Sequence, residues 1–202
     1  CEDFTLYAKW DVQSVNYTIK HCLQNANDDG YSLGAQENFS ADTDTVVTPE
    51  VKNYDGFTAP EKQQVTVEGD GRTTVIYRYT RNVHTLTLKN YDGKTDKTVE
   101  ARYEMSIPKP TRAGYAFAGW YTDAKCTKEY KANMPDQDLT LYAKWEAGMK
   151  TYQVRHYQQS IDNSEQYDLA ETETVTAKTG EHLALAVKAY EGFTAPEPVS
   201  YD

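Results

Sequence analysis

The sequence is poor in the residues that build catalytic and metal sites. It contains three cysteines and four histidines in 202 residues. Cys1, Cys22 and Cys126 lack the spacing of metal ligands, and no pair of histidines has a metal-binding spacing such as H-x-x-x-H. No G-x-S-x-G turn or glycine-rich phosphate loop occurs. We therefore expect no catalytic residues, no cofactor site, no metal site and no structural disulfide, and we predict that the protein is not an enzyme.

Long apolar runs and a basic stripe are also absent. No run approaches the roughly 20 apolar residues that a membrane-spanning helix needs, and no signal peptide opens the chain. The chain carries 21 basic and 31 acidic residues, a net charge of −10. An acidic chain without a basic patch argues against binding to nucleic acid or to anionic membranes. We expect neither nucleic-acid binding nor membrane insertion within these residues.

Tyrosine, by contrast, is abundant. The chain has 17 tyrosines against five phenylalanines, and it is also rich in threonine and valine. Such residues favour half-buried β-strands, and clusters of Gly, Asn and Asp between them are typical of turns. The composition predicts a soluble, β-rich protein.

Three segments recur about 135 residues further along the chain. Leu6–Trp10 returns as Leu141–Trp145, Tyr17–His21 as Tyr152–His156, and Tyr54–Pro60 as Tyr190–Pro196. The last pair is offset by one extra residue, which we place in the loop before Tyr31 and Tyr167. A fixed period is the mark of a repeat architecture. We expect the chain to be part of a longer array of modules of about 65–70 residues, near the lower size limit for independent folding.

The repeat predicts four segments. Residues 1–10 are the closing strand of a preceding module, and residues 11–82 form a complete module of one type. Residues 83–147 form a module of a second type, and residues 148–202 restart the first type without its last hairpin. A sheet that lacks strands has an unpaired edge, so we expect residues 150–202 to be less ordered than 11–147 unless another segment supplies the pairing.

The pattern within 11–82 predicts two strands, a short helix and a hairpin. Alternation indicates strands at 15–22 and 31–39, and Pro49 is compatible with the start of a helical turn within 46–54. Segments 64–68 and 73–79 flank Gly69-Asp-Gly-Arg72, which favours a β-hairpin.

The second module type contains clearer strands. Strict alternation predicts a hairpin of 84–91 with 97–105, a strand at 115–121 and a closing strand at 138–145. Residues 107–114 contain Pro108 and Pro110 and should be a connection without a helix.

Residues 83–147 resemble the Listeria–Bacteroides repeat, the B-repeat of internalin B and of many bacterial surface proteins. The residues that carry the resemblance are Tyr91-Asp-Gly93, Pro108, Pro110, Gly114-Tyr115, Phe117, Gly119-Trp120-Tyr121, Met134-Pro135 and Asp138–Trp145.

Residues 11–82 and 148–202 resemble the mucin-binding-protein-like (MucBP-like) domain that often accompanies such repeats. The matching positions are Tyr17–His21, Tyr54-Asp-Gly-Phe57 and Thr74–Tyr79. Both families are similar to the ubiquitin-like fold, which implies β-rich α+β architecture: tandem small β-grasp modules in an elongated array.

The resemblance also implies a location and a role. It implies an extracellular, cell-wall-attached segment of a Gram-positive surface protein that acts as a stalk or spacer and as an adhesin. Its partners would be the neighbouring modules of the chain, and host mucin, glycans or host surface proteins. The alternative is a module that binds mucin glycans or host proteins directly.

Several side chains remain candidates for chemistry or binding. His21 and His156 occupy the same repeat position, which indicates a structural role. Acidic loops at Asp28-Asp29, Asp42-x-Asp44 and Asp70-Gly71 could bind calcium but lack the spacing of a calcium loop.

Aromatic residues are the remaining option for binding. Trp120-Tyr121 and Tyr142-x-x-Trp145 could stack on sugars or contact proteins. The alternative is that Trp120 lies in the core and that Trp10 and Trp145 pack in the core or at module junctions. We favour that alternative.

Overall fold

The computed structural model describes residues 4–201, with only the backbone of Tyr201. These residues form fifteen strands and no helix. The first six are β1 (Ser14–Gln24), β2 (Tyr31–Asp42), β3 (Val46–Val47), β4 (Phe57–Thr58), β5 (Val65–Thr66) and β6 (Thr74–Arg81). Next come β7 (Val83–Lys89), β8 (Lys97–Arg102), β9 (Tyr115–Tyr121), β10 (Glu129–Tyr130) and β11 (Leu139–Ala147). The last four are β12 (Met149–Gln159), β13 (Tyr167–Lys178), β14 (Leu183–Leu185) and β15 (Val199–Tyr201).

Internal contacts divide the chain into two compact units. The first extends to Thr87 and includes Thr98–Ile107 and Lys131–Thr140. The second comprises Leu88–Lys97, Pro108–Tyr130 and the chain from Leu141 onward.

The first sheet has the strand order β2-β1-β6-β4. Strand β1 pairs with β2 in antiparallel and with β6 in parallel orientation, so it lies in the interior of the sheet. Alternation along β6 turns Val75, Tyr77 and Tyr79 inward. With Tyr17, Ile19 and Val67 they form one buried core cluster. Three of these six core residues therefore come from a single strand.

The prediction of α+β architecture is wrong. Residues 4–201 contain no helix, and a β-grasp, which places a helix across its sheet, is not shown. The predicted helical turn at 46–54 is strand β3 followed by irregular chain. Pro49 disfavours helical geometry at Thr48. Two buried tyrosines also form hydrogen bonds with the backbone of the chain after β3. Tyr77 Oη donates to Pro49 O at 2.8 Å, and Lys52 N donates to Tyr79 Oη at 2.8 Å.

The predicted hairpin of 64–68 with 73–79 is also wrong. Strand β5 pairs with β3, with Val47 opposite Val65, and β6 pairs with β1 and β4 instead. The Gly69–Arg72 segment does turn, as the bond from Arg72 N to Asp70 Oδ1 at 2.9 Å shows. The strands that leave this turn diverge because Val75, Tyr77 and Tyr79 are buried against β1 rather than against β5.

The five-stranded sheet has the order β10-β9-β11-β7-β8 and contributes residues to both units. Its strands β7, β8, β9 and β11 lie where alternation predicted them, and 107–114 is a connection without a helix. Buried positions on these strands include Leu86, Leu88, Trp120 and Leu141.

Segment 149–201 repeats part of the first sheet. Strands β12 and β13 form an antiparallel hairpin, and β14 pairs with β15 as β3 does with β5. The β1–β2 ladder has a register shift at His21/Cys22, and the β12–β13 ladder has one at the equivalent His156/Tyr157. Gln24 faces Tyr31 and Gln159 faces Tyr167. The extra residue of the second copy therefore lies in the intervening loop, which confirms that prediction.

Residues 4–10 are not a strand, although alternation predicted one at 1–10; positions 1–3 lie outside the described residues. The equivalent Leu141–Trp145 lies in β11, which pairs with β9. No described strand pairs with residues 4–10, and these residues are exposed, so their backbone groups are open to water. Because residues 4–201 lack helices altogether, none provides an apolar helix of membrane-spanning length.

Candidate functional site

The buried polar centre of the first sheet is His21 on β1. Its side chain is fully buried, and its ring centroid lies 6.5 Å from that of Tyr54 in the segment that follows β3. Nδ1 lies 2.7 Å from Tyr79 Oη, and Nε2 lies 3.2 Å from Glu37 Oε2. Parallel pairing of β1 with β6 and antiparallel pairing with β2 bring these three residues together.

Lys52 closes this network into a ring. Its Nζ lies 2.9 Å from Glu37 Oε1, and its backbone N–H donates to Tyr79 Oη. Because Tyr79 Oη accepts that bond, its own proton is available for Nδ1 of His21, and Nε2 then donates to Glu37. The hydrogen bond from Lys52, followed by that from His21, lowers the pKa of Glu37, and Glu37 raises the pKa of Lys52. Burial raises the pKa of Tyr79.

This ring holds the chain between Pro49 and Gln63, the cover segment, in place and exposes no reactive group. Tyr79 and Tyr77 fix the chain between Pro49 and Gln63, and Gln63 N donates to Tyr77 Oη at 3.3 Å. His21 is sealed from solvent, so a substrate could not reach it without unfolding of the cover. The tyrosine hydroxyls thus satisfy backbone groups that a helix would otherwise satisfy internally.

The histidine, glutamate and lysine of this network recur in the second copy. His156 Nε2 lies 2.9 Å from Glu173 Oε1, and Lys188 Nζ lies 3.4 Å from Glu173 Oε2. The hydrogen bond from His156 is the main cause that lowers the pKa of Glu173. Lys188 Nζ also lies 2.6 Å from Glu171 Oε1, and this hydrogen bond raises the pKa of Lys188. The predicted structural role of the His21/His156 position is therefore supported by its contacts in both copies.

The glutamate and lysine of this network were missed in the sequence. Glu37 and Glu173, and likewise Lys52 and Lys188, are equivalent positions of the repeat. Aligning the two copies for charged residues, rather than for aromatic motifs alone, would have revealed them.

His84, Asp28 and Asp29 have protein partners. His84 Nε2 lies 2.7 Å from Asp136 Oδ1, and this bond, with one from Asn82, lowers the pKa of Asp136. Asp28 binds Arg102 at 2.7 Å, and Asp29 accepts bonds from two asparagines. Within residues 4–201 no group of three or more His, Cys, Asp or Glu side chains could hold a metal ion. The thiols of Cys22 and Cys126 are free.

The aromatic residues of segment 84–144 pack against one another. The ring centroid of Trp120 lies 6.3 Å from that of Tyr91 and 5.2 Å from that of Phe117. Its Nε1 donates to Pro108 O at 2.9 Å. Trp145 lies 5.5 Å from Phe117, and its Nε1 donates to Asn90 O at 3.0 Å. The core position expected for Trp120 is confirmed, because it is only 5% exposed. Trp145 is partly buried, and its packing on Phe117 does not place it in the core. The expectation for Trp10 is wrong, because its side chain is 88% exposed.

A single residue, Asn82, separates β6 from β7. Its N–H donates to Gly56 O at 2.9 Å, and its O accepts from Tyr103 N at 2.9 Å. Arg81 reinforces this junction: Nε donates to Gln24 O at 2.6 Å and Nη1 to Tyr103 O at 3.0 Å. The same Nη1 lies 2.6 Å from Glu104 Oε2. The sequence did not single out Arg81, because its contacts come from segments distant along the chain.

The second junction is Gly148, between β11 and β12. Its N–H donates to Gly114 O at 2.8 Å, and its O accepts from Thr179 N at 2.8 Å. A Cβ at position 148 would lie 2.9 Å from Gly114 O, so this close approach requires glycine. Both junctions are thus one residue long and bonded on each side.

An exposed Tyr-x-Leu pair recurs on the two hairpins. Tyr31 and Leu33 on β2 are exposed, as are Tyr167 and Leu169 at the equivalent positions on β13. Residues two apart on a strand share a face, so each pair forms one apolar patch. The sequence showed the recurrence of the tyrosine but not the exposure of the pair.

Comparison with known proteins identifies one segment. Residues 84–144 match the family model of the Listeria-Bacteroides repeat domain, which confirms the resemblance predicted for 83–147. The MucBP-like interpretation of 11–82 and 148–202 is not shown and stays a prediction.

Two relatives come from Evansella cellulosilytica. One, named "Putative membrane protein", is 27% identical over 155 residues, which are 70% of this chain and 22% of that protein. The other, named "Putative Gly-rich membrane protein", is 25% identical over 162 residues, 74% of this chain and 18% of that protein. The chain thus spans about a fifth of the length of these curated relatives.

Proposed function

We propose that this chain is a spacer segment of a bacterial surface protein, in which consecutive modules are joined without flexible linkers. The observation that carries the proposal is the pair of one-residue junctions at Asn82 and Gly148, each hydrogen-bonded on both sides. A linker of one residue with its backbone groups bonded has little conformational freedom. Such junctions suit a spacer, because they restrict the movement of each module relative to the next one.

The proposed location is the outside of the cell, on a protein attached to the cell wall. The Listeria-Bacteroides repeat at 84–144 and the names of the two larger relatives support a place within a surface-associated protein. The MucBP-like resemblance of the flanking segments supports the same location.

We also propose that the segment has no enzymatic activity. Its histidines at 21, 84 and 156 lie within hydrogen-bond distance of the carboxylates of Glu37, Asp136 and Glu173. A general base needs access to substrate, and His21 is sealed beneath the cover segment.

The rigidity of the junction at Asn82 can be measured by double electron–electron resonance spectroscopy. Spin labels at Glu68→Cys and Ser106→Cys, in a background with the three native cysteines replaced by serine, report one distance across Asn82. Both positions are exposed and belong to the first compact unit. We expect a single narrow distance distribution.

Arg81→Ala should broaden this distribution about twofold, because it removes the bonds to Gln24, Tyr103 and Glu104. Arg78→Ala is the matched control on the same strand, since Arg78 is exposed and makes none of these bonds. A broad distribution in the parent protein would contradict the spacer proposal.

Direct binding of a host ligand is the second candidate, and the recurring Tyr-x-Leu patch favours it. Exposed aromatic residues beside an aliphatic residue suit contact with sugars or proteins. If the patch binds mucin glycans, Tyr31→Ala combined with Tyr167→Ala should abolish saturable binding on a glycan array. Tyr7→Ala is the control, because Tyr7 is exposed outside the patch. Equal binding by all three proteins, or none by the parent, would exclude this role for the patch.

A further inference from the structure

The two copies of the hairpin differ in charge beside the repeated histidine. In the β1–β2 ladder Ala35 lies opposite His21, whereas in the β12–β13 ladder Glu171 lies opposite His156. The repeat aligns Ala35 with Glu171. The second copy therefore has a carboxylate at a position where the first copy has only a methyl group.

This additional carboxylate has two donors in the second copy. Lys188 Nζ lies 2.6 Å from Glu171 Oε1, and Tyr190 Oη donates to Glu171 Oε2 at 3.4 Å. The hydrogen bond from Lys188 is the main cause that lowers the pKa of Glu171, which favours the ionised form. The distance from Lys188 Nζ to Glu173 Oε2 is longer, 3.4 Å. The carboxylate at position 171 is thus the closer partner of the lysine.

The first copy has the equivalent tyrosine in the equivalent place. The repeat aligns Tyr54 with Tyr190. The ring centroid of Tyr54 lies 6.5 Å from that of His21, and the ring centroid of Tyr190 lies 6.3 Å from that of His156. The hydroxyl oxygen of Tyr54 is buried and has no hydrogen-bond partner among residues 4–201. Because a buried hydroxyl without a partner costs free energy, this group favours a ligand that can accept its proton.

The equivalent lysine is also present. Lys52 aligns with Lys188, and both side chains are 37% exposed. Lys52 Nζ lies 2.9 Å from Glu37 Oε1, and this hydrogen bond raises the pKa of Lys52, which favours the ammonium form. An ammonium group has three donors. Within the described residues, Lys188 has two carboxylate partners and Lys52 has one.

We propose that Ala35, Lys52 and Tyr54 form a binding site for a small carboxylate anion such as acetate. The anion takes the place of the Glu171 carboxylate, accepting hydrogen bonds from Lys52 Nζ and Tyr54 Oη, and its methyl group packs on Ala35. Ala35 and Lys52 are only partly buried, so the anion reaches the site from solvent. The proposal is independent of the spacer role.

The test is a nuclear magnetic resonance titration of the complete 202-residue chain with sodium acetate at neutral pH. We expect the amide signals of Ala35 and Lys52 to shift saturably, with a Kd on the order of 10 mM. Sodium chloride at the same ionic strength is the control and should leave these signals unchanged.

Variants of the two donors test their separate contributions. Lys52→Met should weaken acetate binding about tenfold or more, because it removes the charged donor. Tyr54→Phe should weaken binding about threefold, because it removes one hydrogen bond and keeps the ring. Lys62→Met is the matched control, since Lys62 lies on the same cover segment and pairs with Glu50 instead. It should bind acetate as the parent does.

Exchange of the residues between the two copies tests the site itself. Ala35→Glu supplies the carboxylate covalently and should abolish the acetate response of Lys52. Glu171→Ala should create a second acetate site, detected by saturable shifts at Lys188 and Tyr190. Each variant introduces the residue that the other copy already has, so we expect both to fold, and circular dichroism checks this.

Three results would overturn the proposal. The first is the absence of saturable shifts at Ala35 and Lys52 up to 100 mM acetate, about tenfold above the expected Kd, because the partner of Tyr54 would then be a water molecule at most. The second is an equal response to chloride, which would reflect general ionic strength. The third is unchanged acetate binding in a folded Ala35→Glu variant, because the anion would then bind elsewhere.

Discussion

Segments 14–81 and 149–201 share a hairpin, a bulge and a His–Glu–Lys network, yet they differ in burial. Tyr17 is 9% exposed, whereas its equivalent Tyr152 is 41% exposed. The side chain of His21 is 0% exposed, and that of His156 is 12% exposed. This difference in burial is explained by strand β6, which pairs with β1 and has no described equivalent beside β12.

This comparison separates local structure from core formation. The β12–β13 hairpin and its bulge form from residues close in sequence. The histidine network requires in addition only Lys188, from the segment that follows β13. Burial of the same side chains requires a strand from further along the chain. Val75, Tyr77 and Tyr79 supply half of the first core cluster, so the hairpin alone has little to bury against.

The largest expected contrast is in hydrogen exchange along β1 and β12. Both edges of β1 are paired, whereas one edge of β12 is open. Amides of Gln153, Arg155 and Tyr157 should therefore exchange at least 100-fold faster than those of Thr18, Lys20 and Cys22. Mass spectrometry of the two peptides measures this contrast. Equal protection would show that β12 is paired in solution, and it would also contradict the expectation that 150–202 is the less ordered part.

The second contrast concerns two equivalent glycines, Gly56 and Gly192. Both have positive φ, 76° and 83°, so alanine is strained at either position. A Cβ at Gly56 would also overlap the Tyr103 ring, whereas nothing lies near Gly192. We expect Gly56→Ala to cost about 2–4 kcal/mol and Gly192→Ala about 1 kcal/mol.

Urea unfolding measures this difference, with hydrogen exchange of the surrounding peptides as the readout for each site. If the two variants cost the same, the Tyr103 ring does not pack on Gly56 in solution.

The third contrast compares His21→Ala with His156→Ala. Removal of His21 leaves a cavity and leaves the buried Tyr79 hydroxyl with one partner fewer, so we expect a loss of about 2–4 kcal/mol. His156 is less buried and has only Glu173 as its described hydrogen-bond partner. The second variant should lose about 1 kcal/mol. The urea midpoints of β1 and β12 peptides provide the test, and a larger loss at His156 would contradict the role assigned to β6.

The smallest contrast is in pH dependence. The pKa of Glu37 is lowered from its ordinary 4.5 in the folded state, so its contribution to stability is present above pH 4.5 and is lost as pH falls through the lowered pKa. Glu37→Gln should therefore reduce the acid dependence of the melting temperature, with a loss on the order of 2 °C at neutral pH.

Glu173→Gln should have less effect, because Lys188 keeps its bond to Glu171 at 2.6 Å. Melting curves of both variants between pH 3 and 7 are the measurement. An unchanged slope in Glu37→Gln would mean that the Glu37 pKa is not perturbed.

Much of the fold could be predicted from neighbouring residues. The alternation in 15–22, 31–39, 84–91 and 115–121 identified strands that the structure contains. The motif of 83–147 identified the Listeria–Bacteroides repeat, and its Trp120 lies in the core as expected. These inferences succeeded because alternation and spacing report local geometry.

The errors all involve partners distant in sequence. The helix expected at 46–54 is replaced by an irregular cover that two tyrosines of β6 hold. The hairpin expected at 64–79 is replaced by pairing of β6 with β1. The strand expected at 1–10 is absent from residues 4–10, which pair with no described strand.

The sequence by itself determined the strand-forming segments, the period and the positions of the repeated histidine, because these depend on residue type and short-range spacing. Only the tertiary structure decided which strands pair, and therefore which tyrosines are buried. Pairing depends on the free energy of burying side chains from distant segments together, and a pattern of alternation carries no information about its partner. Equal motifs in the two copies therefore led to different environments.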